Sequence, residues 1–235
     1  MRVLAIGAHP DDLEILCGAT LARMAAQGDD VVMAHLTDGA RGGAAGTDPG
    51  QLAATRLAEA QRSAAIAGCR HVCLGIPDAG VSSASPGQLR LIVDLVRDVA
   101  PGLILAHHPD DYHPDHREAS KLAFAGSFAA TNPMVDGNGE APAEVAALYY
   151  MDTLAGLGFE PAEFVDVTDF IEIKKSMMSA HASQLDYLRD TFGSDIVEHI
   201  DVVARFRGLQ CHARYAEGFQ AVLTWHRPRT RRLLP

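Results

Sequence analysis

Residues 2–8 (RVLAIGA) form an apolar run behind a single arginine, the pattern of a strand buried on both faces. Leu13, Leu16, Cys17, Thr20, Leu21 and Met24 then recur at i, i+3, i+4 spacing, which predicts a helix that stops near Gly28. The alternation continues. A second strand is predicted over residues 31–37 (VVMAHLT), followed by a glycine-rich loop, DGARGGAAGTDPG. Asp48-Pro49 is a good helix start, and the helix runs to Gly68. HVCLGI reads as a third strand, and a loop with Pro77, Gly80 and Pro86 leads into the helix QLRLIVDLVRDVA. LILAH, residues 103–107, is the fourth strand. Strands alternating with helices of this length predict a mostly parallel sheet with helices on both faces, a Rossmann-like three-layer α/β/α fold.

The second half is less regular. ALYYMDT and FVDVT read as strands, and residues 169–190 and 195–208 as helices. Residues 131–142 (TNPMVDGNGEAP) are a long polar loop, expected at the rim or lid of a site. No repeat or linker separates the halves. The expectation is one domain over 1–235, with 1–130 as its Rossmann-like core and 131–235 as its C-terminal part.

Composition narrows the class. Of 235 residues, 48% are apolar and 21% charged, enough to build a core and too apolar for a disordered chain. No run approaches the roughly 18 apolar residues of a membrane span, and the short N-terminal run ends in two aspartates instead of a cleavage site. A cytoplasmic protein is expected. The net charge of −10 makes nucleic acid a poor partner, apart from the short basic segment 226–232, read as a solvated end. Cys17, Cys69, Cys73 and Cys211 lack the spacing of a metal or redox motif and read as reduced thiols in or near the core.

A doubly wound sheet raises the question of a dinucleotide. The turn after the first strand, GAHPDD, lacks GxGxxG and puts two carboxylates where a pyrophosphate would dock. Those carboxylates point to other chemistry. The first strand ends in Ala8-His9-Pro10-Asp11-Asp12-Leu13-Glu14, and the fourth runs into His107-His108-Pro109-Asp110-Asp111-Tyr112-His113-Pro114-Asp115-His116. In the strand order 3-2-1-4 these two ends flank the switch point where such sheets bind ligands. Together they offer a mixed His/Asp set of the kind that holds catalytic zinc by three side chains. Taken singly, Asp11 or Asp12 could merely cap a helix, and a strand-end histidine could merely bond a carbonyl.

The two motifs resemble those of the LmbE-like, or PIG-L-like, zinc-dependent de-N-acetylases: AHPDDxE at Ala8–Glu14 and HPDH at His113–His116. Looser similarities occur at Leu36–Gly39, Arg56–Glu59, His181–Gln184 and Tyr215–Phe219. The resemblance implies a Rossmann-like fold, one zinc ion per chain on His9, Asp12 and His116, Asp11 as general base and His113 facing the developing oxyanion. Asp115 is then a candidate to orient His113 and favour its charged form, or else a helix cap. Among substrate-contacting candidates, Arg56 resembles a family arginine and otherwise reads as a solvated residue pairing with Glu59. Asp38 either meets a sugar hydroxyl or caps the turn with Gly39. Tyr112 is a candidate donor to the substrate carbonyl. Some family members carry a tyrosine two residues before HPDH, where this chain has Asp111. His181 reads as a packed or capped core histidine within a helix, and His108, in a near copy of the first motif, competes with His116 for the metal.

The activity implied is removal of an acetyl group from an N-acetylglucosamine-type amino sugar or its conjugate. Alternatives are an amidase acting on a thiol–sugar conjugate, and a non-catalytic metal- or nucleotide-binding Rossmann-like module. A His₂Asp set also suits iron, cobalt or manganese. A homo-oligomer is a family-level expectation.

Overall fold

Strand β1 (Arg2–Gly7) lies between β2 (Asp30–Thr37) and β4 (Leu103–Ala106) and pairs in parallel with both. The computed structural model describes residues 1–228; the basic segment 226–232 falls largely outside them. Among the described residues one seven-stranded sheet has the order β3-β2-β1-β4-β5-β7-β6. Its other strands are β3 (Arg70–Ile76), β5 (Ala147–Met151), β6 (Glu163–Asp166) and β7 (Ala216–Ala221). β1 to β5 pair in parallel, and β7 runs antiparallel to β5 and β6. The expected order 3-2-1-4 is present, with the switch point between β1 and β4.

β1 is apolar throughout because both of its faces are covered. Val3 and Ala5 join the apolar cluster under α1 (Asp12–Ala26), α2 (Pro49–Ile66), α5 (Ile171–Ser179) and α7 (Ile196–Cys211). Leu4 and Ile6 join the cluster under α3 (Pro86–Val99) and α4 (Pro114–Ala129). The helix starts follow their sequence signals. Asp48 accepts the Gln51 amide at 2.7 Å ahead of Pro49, and Ser85 caps α3 ahead of Pro86. No helix among the described residues is long and apolar enough to cross a membrane.

Two expectations are corrected, and one strand had no expectation. The helix read over 169–190 is two, α5 and α6 (Ala182–Phe192), because the chain leaves helical geometry at His181 (ψ 54°) and buries that ring against Glu14. Strand β7 escaped the sequence pattern: AEGFQA carries a glycine and a glutamate, and only pairing with β5 and β6 makes it a strand. The polar loop 131–142 is neither rim nor lid. It returns the chain from α4 to the start of β5, at the opposite end of the sheet from the carboxyl ends of β1 and β4. There Arg97 ties it down through the carbonyls of Asn132 and Val135, both at 3.0 Å.

One buried contact locks the C-terminal half onto the first helix. α1 is kinked at Cys17 (φ −147°), which frees amide groups in its middle. The Glu217 carboxylate of β7 accepts the Ala19 and Thr20 amides at 3.1 and 2.8 Å, and Lys174 of α5 faces it at 2.5 Å. Both side chains are almost wholly buried. Glu217→Ala leaves Lys174 and two amides unpaired, so unfolding in urea should show a loss of about 3–5 kcal/mol. A change below about 1 kcal/mol, the scale of an exposed pair, would mean that the contact does not lock the two halves together.

Candidate metal centre and active site

The first strand turns into α1 within four residues, and the turn is strained. Asp11, the N-cap of α1, sits at φ 112°, in the left-handed region that non-glycine residues avoid. This conformation sets two consecutive carboxylates side by side at the open end of the sheet. Asp12 faces inward. Its Oδ2 accepts the His9 amide at 2.6 Å and lies 3.1 Å from His107 Nε2, and its Oδ1 lies 3.1 Å from His116 Nε2. His9 Nδ1 is 3.4 Å from Asp12 Oδ2. Asp12 is thus the point on which three imidazoles converge.

Each of two imidazoles has a carboxylate at its far nitrogen. His9 Nε2 is 3.2 Å from Asp115 Oδ2 and 3.4 Å from Asp78 Oδ1. His116 Nδ1 is 3.1 Å from Asp111 Oδ2, and Asp111 is 1% exposed. A carboxylate behind a histidine fixes its tautomer and aims its other nitrogen, the usual arrangement behind metal ligands. His116 reaches this position because Pro114 starts α4 and places His116 in the helix's first turn, with His113 as N-cap.

The electrostatics test whether a cation fits. Burial alone would lower the His9 pKa, but Asp12 and then Asp115 hold it up to about 12. Burial would likewise lower His116, and Asp12 with Asp111 holds it up to about 9. Burial disfavours the charged form of Asp12, yet His116, His107 and His9 keep it ionised well below the ordinary range. Among the described residues, three groups have donor atoms within 4.8 Å of one another: His9, His113 and His116; Asp12, His107 and His116; and His9, Asp78 and Asp115. The expected ligands His9, Asp12 and His116 are spread over these groups, and a divalent cation held by them would have ligand types that zinc accepts.

Asp11 stands apart from this set. Burial raises its pKa to about 6, against the Arg56 guanidinium, which lowers it. Arg56 Nη2 is 3.2 Å from Asp11 Oδ1 and also donates to the Pro10 carbonyl, while Nη1 donates to the Gly39 carbonyl at 3.0 Å. A Cβ at Gly39 or Gly42 would come within 2.7 or 2.6 Å of that guanidinium. The glycine-rich loop is glycine-rich where it packs on Arg56, and Gly39 (φ 65°) also needs the left-handed conformation.

The structure places several residues differently from the sequence reading. Arg56 is buried and bonded to Asp11, not solvated, and Glu59 instead accepts the Ser183 amide and hydroxyl at 2.9 and 2.6 Å. Asp38 takes the capping role. Its Oδ1 accepts the Ala40 and Asp78 amides, and it does not line the cleft. Asp115 does not hold His113 through its carboxylate, which goes to His9 and to the Ala79 amide at 3.0 Å. Its backbone amide donates to His113 Nδ1 at 3.2 Å instead. Burial, then His116 and His9, lower the His113 pKa, and Nδ1 accepting that amide leaves Nε2 to carry a proton, so the surroundings favour the neutral ring over the expected imidazolium. Tyr112 stands at the rim, 58% exposed.

His108 turns away from the metal set. It packs edge-on against Tyr150 and Phe159, and its Nδ1 accepts the Asp110 amide. The residues missed are its neighbour His107 and the carboxylates of Asp78 and Asp111. His107 is wholly buried, stacks on His116 at 3.9 Å and accepts the Ala8 amide. Strand alternation after LILAH could have pointed to it, since consecutive residues face opposite sides. His181, expected in a helix core, lies at the junction of α5 and α6. It sits 3.0 Å from Glu14, which also accepts Ser63 at 2.6 Å.

His9, Asp11, Asp12, Arg56, His113 and His116 line one open cleft at the switch point. A doubly wound sheet with a His/Asp cluster able to hold a metal at its switch point is an arrangement suited to a metal-dependent hydrolase. The chain belongs to the PIG-L: GlcNAc-PI de-N-acetylase family, which matches residues 4–126. It is 32% identical to the diacetylchitobiose deacetylase of Thermococcus kodakarensis over 94% of this chain and 83% of that protein. It is 27% identical to the 1D-myo-inositol 2-acetamido-2-deoxy-alpha-D-glucopyranoside deacetylase of Nocardiopsis dassonvillei, over 86% of this chain and 92% of that protein. Among solved structures, the N,N'-diacetylchitobiose deacetylase from Pyrococcus horikoshii superposes with a TM-score of 0.81 at 26% identity, covering 94% of this chain and 83% of that one. The 4-carboxy-2-hydroxymuconate hydratase of Pseudomonas putida KT2440 superposes at 0.83 with 24% identity over 98% of both chains, a likeness of fold alone.

The ligand assignment gives a direct test. His116→Ala should abolish tight metal binding in a chelator competition, and His108→Ala should keep it. Asp111→Asn, which removes only the carboxylate behind His116, should weaken the metal by about 10–100-fold. Metal lost with His108 and kept with His116 would reverse the assignment.

Proposed function

We propose that this protein is a zinc-dependent deacetylase that hydrolyses the N-acetyl group of an N-acetylglucosamine-type amino sugar or its conjugate. The observation that carries the reading is the pairing, in one cleft, of a His₂Asp donor set with a buried carboxylate, Asp11, that belongs to a different hydrogen-bond system. A non-ligand carboxylate beside a metal has a use in proton transfer and little use in binding alone, which disfavours a non-catalytic module. The named relatives act on N-acetylated amino sugars, which supports the substrate class. The chain works as one domain over 1–235. It is cytoplasmic, and it takes neither nucleic acid nor an anionic membrane surface as partner, which the net charge of −10 disfavours.

When bound, zinc polarises an amide carbonyl and makes water a competent nucleophile at neutral pH. The side chains do the rest. Asp11, held in position by Arg56, accepts the proton of the attacking water and returns it to the departing amine. His113 donates its Nε2–H to the oxygen that becomes negative. Its orientation is fixed because Nδ1 is occupied by the Asp115 amide. Asp115 and Asp78 hold His9, and Asp111 holds His116, so the cleft is preorganised before substrate arrives.

Asp11→Asn keeps the size and the Arg56 contact while removing the base. Acetate release from N-acetylglucosamine conjugates should fall by about 10²–10⁴ in kcat, with metal content by mass spectrometry unchanged. Asp12→Ala should lose the metal instead. Full activity of the Asn variant, or metal lost from both, would show the roles to be misassigned.

A further inference from the structure

The corner His181-Ala182-Ser183-Gln184 turns the chain from α5 into α6, and three of its side chains reach into the first half. Each ends three residues from a member of the group that holds Asp11. His181 Nε2 lies 3.0 Å from Glu14, three residues beyond Asp11 on α1. The Ser183 amide and hydroxyl donate to Glu59, three residues beyond Arg56 on α2. The Gln184 side chain donates to the Gly42 carbonyl at 2.8 Å, three residues beyond the Gly39 carbonyl that Arg56 holds. His181, Gln184, Glu14 and Glu59 are all buried.

The third contact reaches the base by the shortest route. Residues 38–48 form neither helix nor strand, so no ladder of hydrogen bonds fixes the Gly39 carbonyl. Gly42 lies between Arg56 and Gln184: a Cβ there would come within 2.6 Å of Arg56 Nη1 and 3.0 Å of Gln184 Oε1. Gln184 thus holds the loop backbone onto the guanidinium whose Nη2 meets Asp11 Oδ1 at 3.2 Å. Arg56 Nε has no partner among the described residues, so Nη1 and Nη2 alone fix the fork. A buried ion pair keeps its geometry only while such supports stand. Resting on the reading of Asp11 as general base, we propose that the His181–Gln184 corner is a positioning device for that base, acting chiefly through Gln184, Gly42 and Arg56. A tie that served docking alone could fall anywhere between the two halves. These three fall on the helix that carries the base, the helix that carries its arginine and the loop that holds the arginine.

A double-mutant cycle tests the proposal. Gln184→Met keeps the length of the side chain and removes the amide donor. In metal-loaded protein, acetate release from methyl N-acetylglucosaminide should fall by about 10–100-fold in kcat, the cost of misplacing a reacting group by about an ångström. KM, and metal affinity by chelator competition, should stay unchanged. On the Asp11→Asn background the same substitution should alter kcat by less than about twofold, because no base is left to position. An equal fall on both backgrounds overturns the proposal and leaves a structural role. Gln184 also lines the metal cleft, so a raised KM at unchanged kcat overturns it in favour of a substrate contact. Gly42→Ala disturbs the same fork from the loop, at a backbone outside the left-handed region, and should show the same dependence on Asp11. If Gln184→Met does not fold, Gly42→Ala carries the cycle. Hydrogen exchange reads the clamp without substrate. Residues 38–48 should exchange faster in either variant than in the unsubstituted protein, and an unchanged rate overturns the clamp. Faster exchange with no acetate released by the unsubstituted protein overturns the deacetylase reading and keeps the clamp. Full acetate release by Asp11→Asn overturns the base assignment, and the exchange result still decides the clamp.

Discussion

Asp12 is a carboxylate held out of water at the end of the central strand, 4% exposed. A charge in that position is tolerated only if positive charge and hydrogen-bond donors surround it. Its neighbours meet that condition: the His9 amide and the imidazoles of His9 and of His116 at the start of α4, both held up in pKa, while His107 from the end of β4, pushed down to about 4 by burial and His116, packs beside them. β1 and β4 must therefore be adjacent for the site to exist, and the parallel pairing of Val3–Ile6 with Leu103–Ala106 makes them so. The carboxylates Asp115, Asp78 and Asp111 form a second ring behind the imidazoles. The layers alternate in sign, negative, positive, negative. Such a set is stable with cations in its middle layer and strongly prefers them there.

Asp11 shows how backbone strain serves this arrangement. Two adjacent carboxylates in ordinary helix geometry would point about 100° apart around the axis and could not share one cleft face. The left-handed φ of Asp11 places it beside Asp12, and the Arg56 fork on Asp11, Pro10 and Gly39 holds it there. The same guanidinium requires the glycines of the following loop. Strain at Asp11, the buried arginine and the glycine-rich loop are thus one device.

The C-terminal half closes the cleft while contributing none of the metal donors. Besides the shared apolar cluster and the β4–β5 pairing, polar contacts tie it to the first half: Glu217 on the kink of α1, His181 on Glu14, and Ser183 on Glu59. They carry specificity of docking, since each leaves an unpaired group if the segments shift. In return the half supplies Leu154, Leu188 and Ile196, the apolar side of the cleft.

The strand order of the first half, the helix starts at Asp48-Pro49 and Ser85-Pro86, and the convergence of AHPDD with HPDH are written in local pattern. Hydrophobic periodicity and capping chemistry act over a few residues, and they decide those features without reference to the rest of the molecule. Partnerships between distant residues are a different matter. Asp115 reads as the natural neighbour of His113, two residues away, yet its carboxylate reaches His9, 106 positions distant, because α4 begins between them and turns the side chain toward β1. Arg56 reads as a solvated helix residue until the glycine loop is folded over it, and Asp111 reads as a departure from a pattern until α4 brings His116 against it. His107 was hidden by its neighbour His108, because only the sheet determines which of two consecutive histidines faces the site. Composition and spacing determined which chemical groups the protein owns and roughly where the sheet delivers them. Burial, which exists only once the layers have packed, decided which carboxylate serves which imidazole.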